Sequence, residues 1–199
     1  MSLAIDTLRH DHDAILMALT ILDRIADEAV RGKTTSADVA GFIGFLQEFA
    51  DKCHHGKEEG LLFPAMIEAG MAESGGPISV MLAEHEQGRV LVAKMARAAG
   101  PDLEAKSFAE AATAYSALLR AHIDKENNVL FPLAEGLIDP VVLVSLNEAF
   151  AAHEERVIGH GRHEQLHDML KVLKAKYLRG DAAETRSTPP PMEPVSAQR

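Results

Sequence analysis

The sequence predicts an all-α protein, organised as an up-down-up-down four-helix bundle with a helical extension at its C-terminal end. Apolar residues recur at spacings of three and four, the period of one face of a helix. No segment keeps the period of two that marks a half-buried strand. In addition, one eleven-residue segment occurs a second time in similar form, which indicates two helical hairpins of similar design.

The first predicted hairpin comprises a helix that ends at Gly32 and a second helix over residues 37–69. The first helix carries the stripe Leu8, His12 and Ile15, continued every three or four residues to Ala26. Residues 34–36 are hydroxyl residues of the kind that cap helix N-termini, and Gly70 provides a C-terminal stop.

The second predicted hairpin comprises helices over residues 77–99 and 102–136. Pro77 suits a first helical turn, and Gly100 separates the two helices. We expect Leu82 of the third helix and Val129 of the fourth helix to face inward with the remainder of their apolar stripes.

The C-terminal part divides at Gly180. Asp139 and Pro140 predict the start of a fifth helical region to about Leu178, with a bend at residues 159–161. The predicted organisation is a bundle over residues 1–136, an extension packed on it over residues 137–179, and a disordered tail over residues 180–199.

Composition restricts the possible partners and the compartment. A formal net charge of −10 argues against nucleic acids and anionic membranes, which favour basic surfaces. No apolar run is long enough to predict a membrane span, and the N-terminus lacks the pattern of a secretory signal. The single cysteine, Cys53, fits a reducing compartment, so we expect a cytoplasmic protein without a nucleic-acid or membrane partner.

The repeated segment runs from His54 to Pro64 and returns from His122 to Pro132, 68 residues later, with six of eleven positions identical. Each copy places a His and a Glu four residues apart, so that both side chains lie on one helical face. The first and third helices also resemble each other, since residues 11–13 and 84–86 each have a His between two acidic residues.

Six polar side chains therefore lie on apolar stripes. Buried carboxylates close together cost several kcal/mol each and favour protonation of one of them, whereas two cations would remove both problems. Mixed imidazole and carboxylate ligation without thiolate suits iron and, less well, manganese. The candidate metal ligands are His12, His54, Glu58, His85, His122 and Glu126.

These motifs, over residues 5–135, resemble the hemerythrin-like family of HHE cation-binding domains. The resemblance implies a four-helix bundle with two iron ions joined by an oxo or hydroxo bridge. It also implies that Glu58 and Glu126 bridge the ions and that the four histidines are terminal ligands. Manganese and zinc are the alternative metals.

Arg89 is a departure from the oxygen-carrying members of that family, which have a further His at this position. The resemblance then implies one nitrogen ligand fewer, which weakens the case for reversible O₂ transport and favours peroxide, nitric oxide or iron handling. His55 and Glu59 form a rival pair beside His54 and Glu58, but the repeat places Ile123 and Asn127 opposite them.

Further residues are candidates for additional ligation or for contacts to the ligands. Tyr115 lies two helical turns before His122, on the same stripe. His163 and His167 match the H-E-x-x-H pattern of zinc peptidases, although no later His completes such a site. The full additional set is Glu59, His55, Tyr115, His163 and His167.

The function predicted from these residues is non-haem di-iron binding by a protein that acts on or senses O₂, H₂O₂ or NO. As an enzyme it would be an oxidoreductase that handles peroxide or nitric oxide. The alternatives are an iron or oxygen storage or carrier module without turnover, and a zinc peptidase that uses His163 and His167. The sequence leaves the oligomeric state open.

Overall fold

The computed structural model describes residues 2–100 and 102–178, and it confirms the all-helical prediction, because no strand occurs among these residues. The predicted tail, residues 180–199, lies outside the described residues. The helices are α1 (Leu3–Val30), α2 (residues 36–68), α3 (Pro77–Ala98), α4 (residues 105–137), α5 (Pro140–Ile158) and α6 (Arg162–Tyr177).

Side-chain caps fix three of the helix starts. The Ser2 hydroxyl accepts a hydrogen bond from the Ile5 N–H at the start of α1, and Thr35 accepts one from the Asp38 N–H at the start of α2. Asp139 accepts one from the Val141 N–H at the start of α5. These caps satisfy backbone donors that a helix N-terminus leaves without partners.

The two repeat-bearing helices, α2 and α4, change their hydrogen bonding along their length. α2 is α-helical over Ser36–Phe45, π-helical over Leu46–His55 and Glu58–Leu62, and α-helical again over Phe63–Glu68. α4 is α-helical over Ala105–Lys125, π-helical over Glu126–Leu130, and α-helical over Phe131–Leu137. π-Helical turns are frequent at functional sites.

Two predicted inward positions are wrong, and one of them lies in a π-helical turn. After Glu126 the next buried apolar residue is Leu130, while Val129 is 50% exposed. Leu82 in α3 is 40% exposed because Met81 and His85 already continue the buried face at spacings of three and four.

The helices pack so that α4 contacts both α1 and α3, and the C-terminal helices cover one side. α5 packs on α1 and on the first π-helical segment of α2, and α6 packs on α1. Gly56 allows the close approach of α5, since a Cβ at this position would lie 2.6 Å from Nε2 of His153.

The predicted bend in the fifth helical region is a complete break between α5 and α6. Gly159 and Gly161 adopt positive φ angles of 86° and 71°, which glycine reaches without steric cost. Among the described residues, no helix combines the length and apolar character needed to cross a membrane.

The core of the described chain is divided by a polar layer. One apolar cluster extends from Ile15 in α1 to Tyr177 in α6, and the other contains Leu8, Phe63, Phe131 and Phe150. Between them, buried histidines and carboxylates project from α1, α2, α3 and α4.

Candidate metal centre

Two groups of potential ligand atoms lie in the polar layer. Within each group the atoms are no more than 4.8 Å from one another, and Glu58 belongs to both groups. All members are buried. The first group, which we call the His55 group, contains His55, Glu58, His85 and His122; the second, the His12 group, contains His12, His54, Glu58 and Glu126.

The structure thus brings together all six predicted ligands and adds His55. π-Helical backbone in α2 places the neighbouring residues His54 and His55 both on the buried side, with 1% and 3% exposure. Position 89 of α3 is Arg and not the His of the oxygen carriers. If His55 of α2 binds metal, the site has as many imidazole ligands as it would with a His at position 89. Whether the site has one nitrogen ligand fewer than the oxygen carriers therefore depends on whether His55 binds metal.

Buried atoms without hydrogen-bond partners converge at this layer. They include Nε2 of His12, His54 and His55, and both carboxylate oxygens of Glu58 and of Glu126. Leaving a buried polar group unpaired costs about 1–3 kcal/mol and more for a charged group, so a native structure rarely contains so many at one place. Metal ions would give all these atoms a partner, and imidazole with carboxylate is a donor set that transition metals accept. The residues present therefore fit a metal.

Acidic residues of α1 and α3 orient the two histidines of the repeated segment. Nδ1 of His54 lies 3.2 Å from Oδ2 of Asp11, and Nδ1 of His122 lies 3.0 Å from Oε2 of Glu84. The lysine found in both repeats donates to the same carboxylate, Lys57 to that of Asp11 and Lys125 to that of Glu84. Occupying Nδ1 in this way directs the Nε2 lone pair into the site.

The other two predicted histidine ligands are oriented by the residue that follows each predicted glutamate ligand. Nδ1 of His85 lies 2.7 Å from Oε1 of Glu59, and Nδ1 of His12 lies 3.0 Å from Oδ1 of Asn127. The repeated phenylalanines complete the pattern, since Phe131 stacks on His12 and Phe63 stacks on His85.

With both Nδ1 atoms donating to carboxylates, His85 and His122 present Nε2 lone pairs to each other. These two Nε2 atoms are 3.0 Å apart. Two acceptors at this distance repel unless a cation or a proton lies between them. Burial acts to lower the pKa of His122, but Glu126 and Glu84 outweigh this and raise it, so either a proton or a metal ion can occupy this contact.

Each of the two buried glutamates spans the two groups of ligand atoms. Glu126 Oε2 lies 3.2 Å from Nε2 of both His12 and His122. Glu58 Oε1 lies 3.6 Å from Nε2 of His54, and Oε2 lies 3.5 Å from Nε2 of His85. Glu58, through its two oxygens, and Glu126, through one oxygen, thus each lie against histidines of both groups.

The two buried glutamates, Glu58 and Glu126, differ in their pKa values. Burial and the negative charge of Glu126 raise the pKa of Glu58 well above its usual value. Burial also acts to raise the pKa of Glu126, but interactions with the imidazoles of His12 and His122, whose Nε2 atoms lie 3.2 Å from Oε2, outweigh this and hold the pKa well below the usual value. Two carboxylates this close do not both ionise readily without added positive charge.

The imidazole pKa values favour metal binding. Burial lowers the pKa of His54 to about 4 despite the nearby Asp11 carboxylate. Burial, with the neighbouring His85, lowers the pKa of His55 well below its usual value, and burial also lowers that of His85. These three rings are thus neutral near pH 7, the form in which imidazole binds a metal.

The other predicted residues lie outside the two ligand groups. Glu59 is an outer partner of His85 and is held by Arg89 at 2.7 Å, and Tyr115 is buried beside the site. His163 and His167 lie on α6, where their rings are 4.6 Å apart and both pack on Phe49. Neither contributes to a group of three or more potential ligands among the described residues.

Comparison with known families identifies the domain. The family described as the hemerythrin HHE cation binding domain matches residues 3–134, the part of the chain that carries both ligand groups. The chain belongs to the hemerythrin HHE family. It is therefore a cation-binding domain protein, and the family resemblance predicted from the sequence is confirmed.

Curated relatives of this hemerythrin-domain chain are uncharacterized proteins of Mycobacterium bovis and Mycobacterium tuberculosis. Each is 27% identical over 134 residues, which cover 65% of this chain and 52% of the relative. The matched region thus spans about half the length of these relatives. No solved structure was found to match the chain.

Proposed function

We propose that this hemerythrin-domain protein holds two iron ions between Glu58 and Glu126 and uses them to bind or transform O₂, H₂O₂ or NO. In this proposal, α1 to α4 form the up-down-up-down bundle of residues 1–136, and α5 and α6 form an extension that packs on it. We place the protein in the cytoplasm, in line with its one cysteine, which is buried.

The convergence of unpaired buried atoms carries this proposal. The His12 group consists of Glu58, Glu126, His12 and His54. Both carboxylate oxygens of the two glutamates, and Nε2 of the two histidines, lack a hydrogen bond. A purely structural layer of this kind would leave several polar atoms unsatisfied, at about 1–3 kcal/mol each. A pair of cations compensates all of them together.

The two ions would differ in their ligands. One would be held by His55, His85 and His122 with the shared Glu58, and the other by His12 and His54 with Glu58 and Glu126. Glu126 also contacts His122 and so serves as the second shared carboxylate. The His12 side has one imidazole fewer than the His55 side.

Iron is favoured by the donor set. Five imidazoles and two carboxylates suit iron, whereas manganese prefers oxygen donors, and manganese or zinc are substitutes. When bound, iron supplies one-electron redox chemistry that the side chains lack. The chain holds the ions, orients each imidazole through its outer acceptor, and keeps bulk water out by burying the layer between two apolar clusters.

The contacts around His54 bear on whether the protein is an enzyme or a carrier. Lys57, Asp11 and Glu154 form a charged network that reaches from His54 to the partly exposed Glu154, which is typical of sites that exchange protons with solvent. This observation favours an oxidoreductase that handles peroxide or nitric oxide. A carrier or storage module without turnover is the second candidate.

The test begins with anaerobic loading by Fe(II) and removal of unbound iron. The loaded protein should consume H₂O₂ or NO over many turnovers, and the Glu126→Gln variant should lose both bound iron and turnover. One equivalent of ligand bound reversibly, without turnover, would support the carrier instead. Failure of the unchanged protein to retain iron would overturn both.

A further inference from the structure

A small cavity lies against the His55 group. It has a volume of about 240 Å³, is formed by residues of α2, α3 and α4, and has His55 as one of its lining residues. We call it the His55 cavity. Its volume is below the range of roughly 300–1,000 Å³ found for sites of drug-sized ligands, so it fits a molecule of a few heavy atoms.

The charges that line the His55 cavity neutralise each other. Arg89 donates from Nε to Oδ1 of Asp51 at 2.8 Å and from a terminal nitrogen to Oε1 of Glu59 at 2.7 Å. The cavity therefore offers no unpaired positive charge to an anion.

The remaining lining surface is largely apolar. It comes mainly from Val92, Ala93 and the ring of Tyr115, and Gly88 lies beside this ring. Apolar walls with neutralised charges favour an uncharged molecule, because an anion entering there would lose its hydration without gaining a partner.

One imidazole, that of the potential ligand His55, both lines the cavity and belongs to the ligand cluster. The ring of His55 stacks on that of His85 with 3.9 Å between centroids. Both ring nitrogens of His55 lack a hydrogen bond, and its group also contains Glu58 and His122. A molecule in the cavity would thus touch the same ring that faces the cluster.

We propose that the His55 cavity binds a small uncharged molecule, of the class of O₂, NO or H₂O₂, and admits it to the metal centre in preference to anions. The role of the admitted molecule rests on the proposed function. Whether a small molecule occupies the cavity does not rest on the proposed function, since occupation depends only on the cavity volume and the lining residues.

Xenon-pressurised crystals of the metal-free protein test the cavity alone. Xenon should occupy the space beside Val92 and Tyr115 in the unchanged protein. The Ala93→Phe variant, whose new ring would fill the opening, should lose it. Ala93 is exposed, so the variant should fold, and Ala96→Phe on the same exposed side of α3 is the matched control that should keep xenon. An empty cavity in the unchanged protein, or equal xenon in Ala93→Phe, would overturn the proposal.

Stopped-flow mixing of the iron-loaded proteins with NO and with azide tests access. Ala93→Phe should slow NO binding by roughly tenfold or more, equivalent to about 1.4 kcal/mol on the barrier, while Ala96→Phe changes it little. Azide should bind more slowly than NO in the unchanged protein. Equal NO rates in both variants, at full iron content, would refute the access route. Absence of bound iron would instead count against the proposed function and leave the xenon result to decide the cavity.

Discussion

Replacing Glu58 by glutamine should make the metal-free protein more stable and the metal-loaded protein less stable. In the metal-free protein Glu58 is fully buried, neither carboxylate oxygen has a hydrogen bond, and Glu126 lies close by. Glutamine has nearly the same shape, cannot ionise, and can donate to the Glu126 carboxylate. The variant also lacks the carboxylate that both ligand groups share.

The two effects differ in sign and are large enough to measure. Removing the unsatisfied carboxylate should raise the unfolding free energy of the metal-free protein by about 1–3 kcal/mol. For a chain of this size, each kcal/mol shifts Tm by about 2–4 °C, so the metal-free variant should melt roughly 2–12 °C higher. Metal at a hundredfold excess over Kd should add about 2.7 kcal/mol per ion to the unchanged protein. The variant should gain far less, so the order of the two melting temperatures should reverse.

The pH dependence of the metal-free proteins provides a second readout. The pKa of Glu58 is raised in the folded state, so its favourable contribution is full below its unfolded value of 4.5 and is lost as pH rises toward the folded pKa. The advantage of the variant should therefore be greater at pH 7 than at pH 4. Calorimetry of chelator-treated protein, with and without added Mn(II), measures both effects, and exposed Glu164→Gln is the control. Equal metal stabilisation of the variant and the unchanged protein would refute the reasoning.

Four other substitutions test individual contacts of the fold. Lys57→Ala should destabilise the fold by about 3–5 kcal/mol in denaturant titrations because it leaves two carboxylates without their buried partner, whereas Lys125→Ala, at the equivalent but partly exposed position, should cost under about 1 kcal/mol. Gly56→Ala should cost about 1 kcal/mol net, since overpacking against His153 costs about 1–3 kcal/mol and improved helix propensity returns about 1. Asp38→Asn should destabilise by about 1 kcal/mol at pH 7, and the difference should vanish as pH falls through the lowered pKa of Asp38.

Each of these predictions has a distinct contrary result. Similar losses for the two lysine variants would mean that the burial of Lys57 is energetically unimportant. A Gly56→Ala penalty that survives in a His153→Ala background would contradict the steric explanation. A constant effect of Asp38→Asn from pH 7 to pH 2 would show that its hydrogen bonds to Lys176 and Tyr177 do not depend on its charge.

The sequence was a good guide where local chemistry decides the structure. Thr35 and Asp139 cap helices where hydroxyl and carboxyl side chains predicted caps, and the turn at Gly70 has the positive φ expected of a stop. The duplicated spacing of His and Glu selected four of the seven side chains that form the two ligand groups, and the matched histidines between acidic residues selected two more.

The remainder depends on contacts and backbone geometry that periodicity does not contain. Periodicity alone did not decide whether His55 accompanies His54 on the buried side, or whether Val129 or Leu130 follows Glu126 there, and both positions lie in π-helical turns. The outer partners are cross-helix contacts. Asp11, for example, bonds to His54 on another helix and not to its sequence neighbour His12. The signals in the sequence for such contacts were the identical lysines and the matched acidic residues of the two halves.

Anomalous diffraction at the iron edge, from crystals of the iron-loaded protein, would locate the bound ions. We expect two peaks flanked by Glu58 and Glu126, one within bonding distance of Nε2 of His85 and His122 and the other within bonding distance of Nε2 of His12 and His54. A single peak, a peak at His163 and His167, or no peak in the polar layer would contradict a di-iron centre at this position.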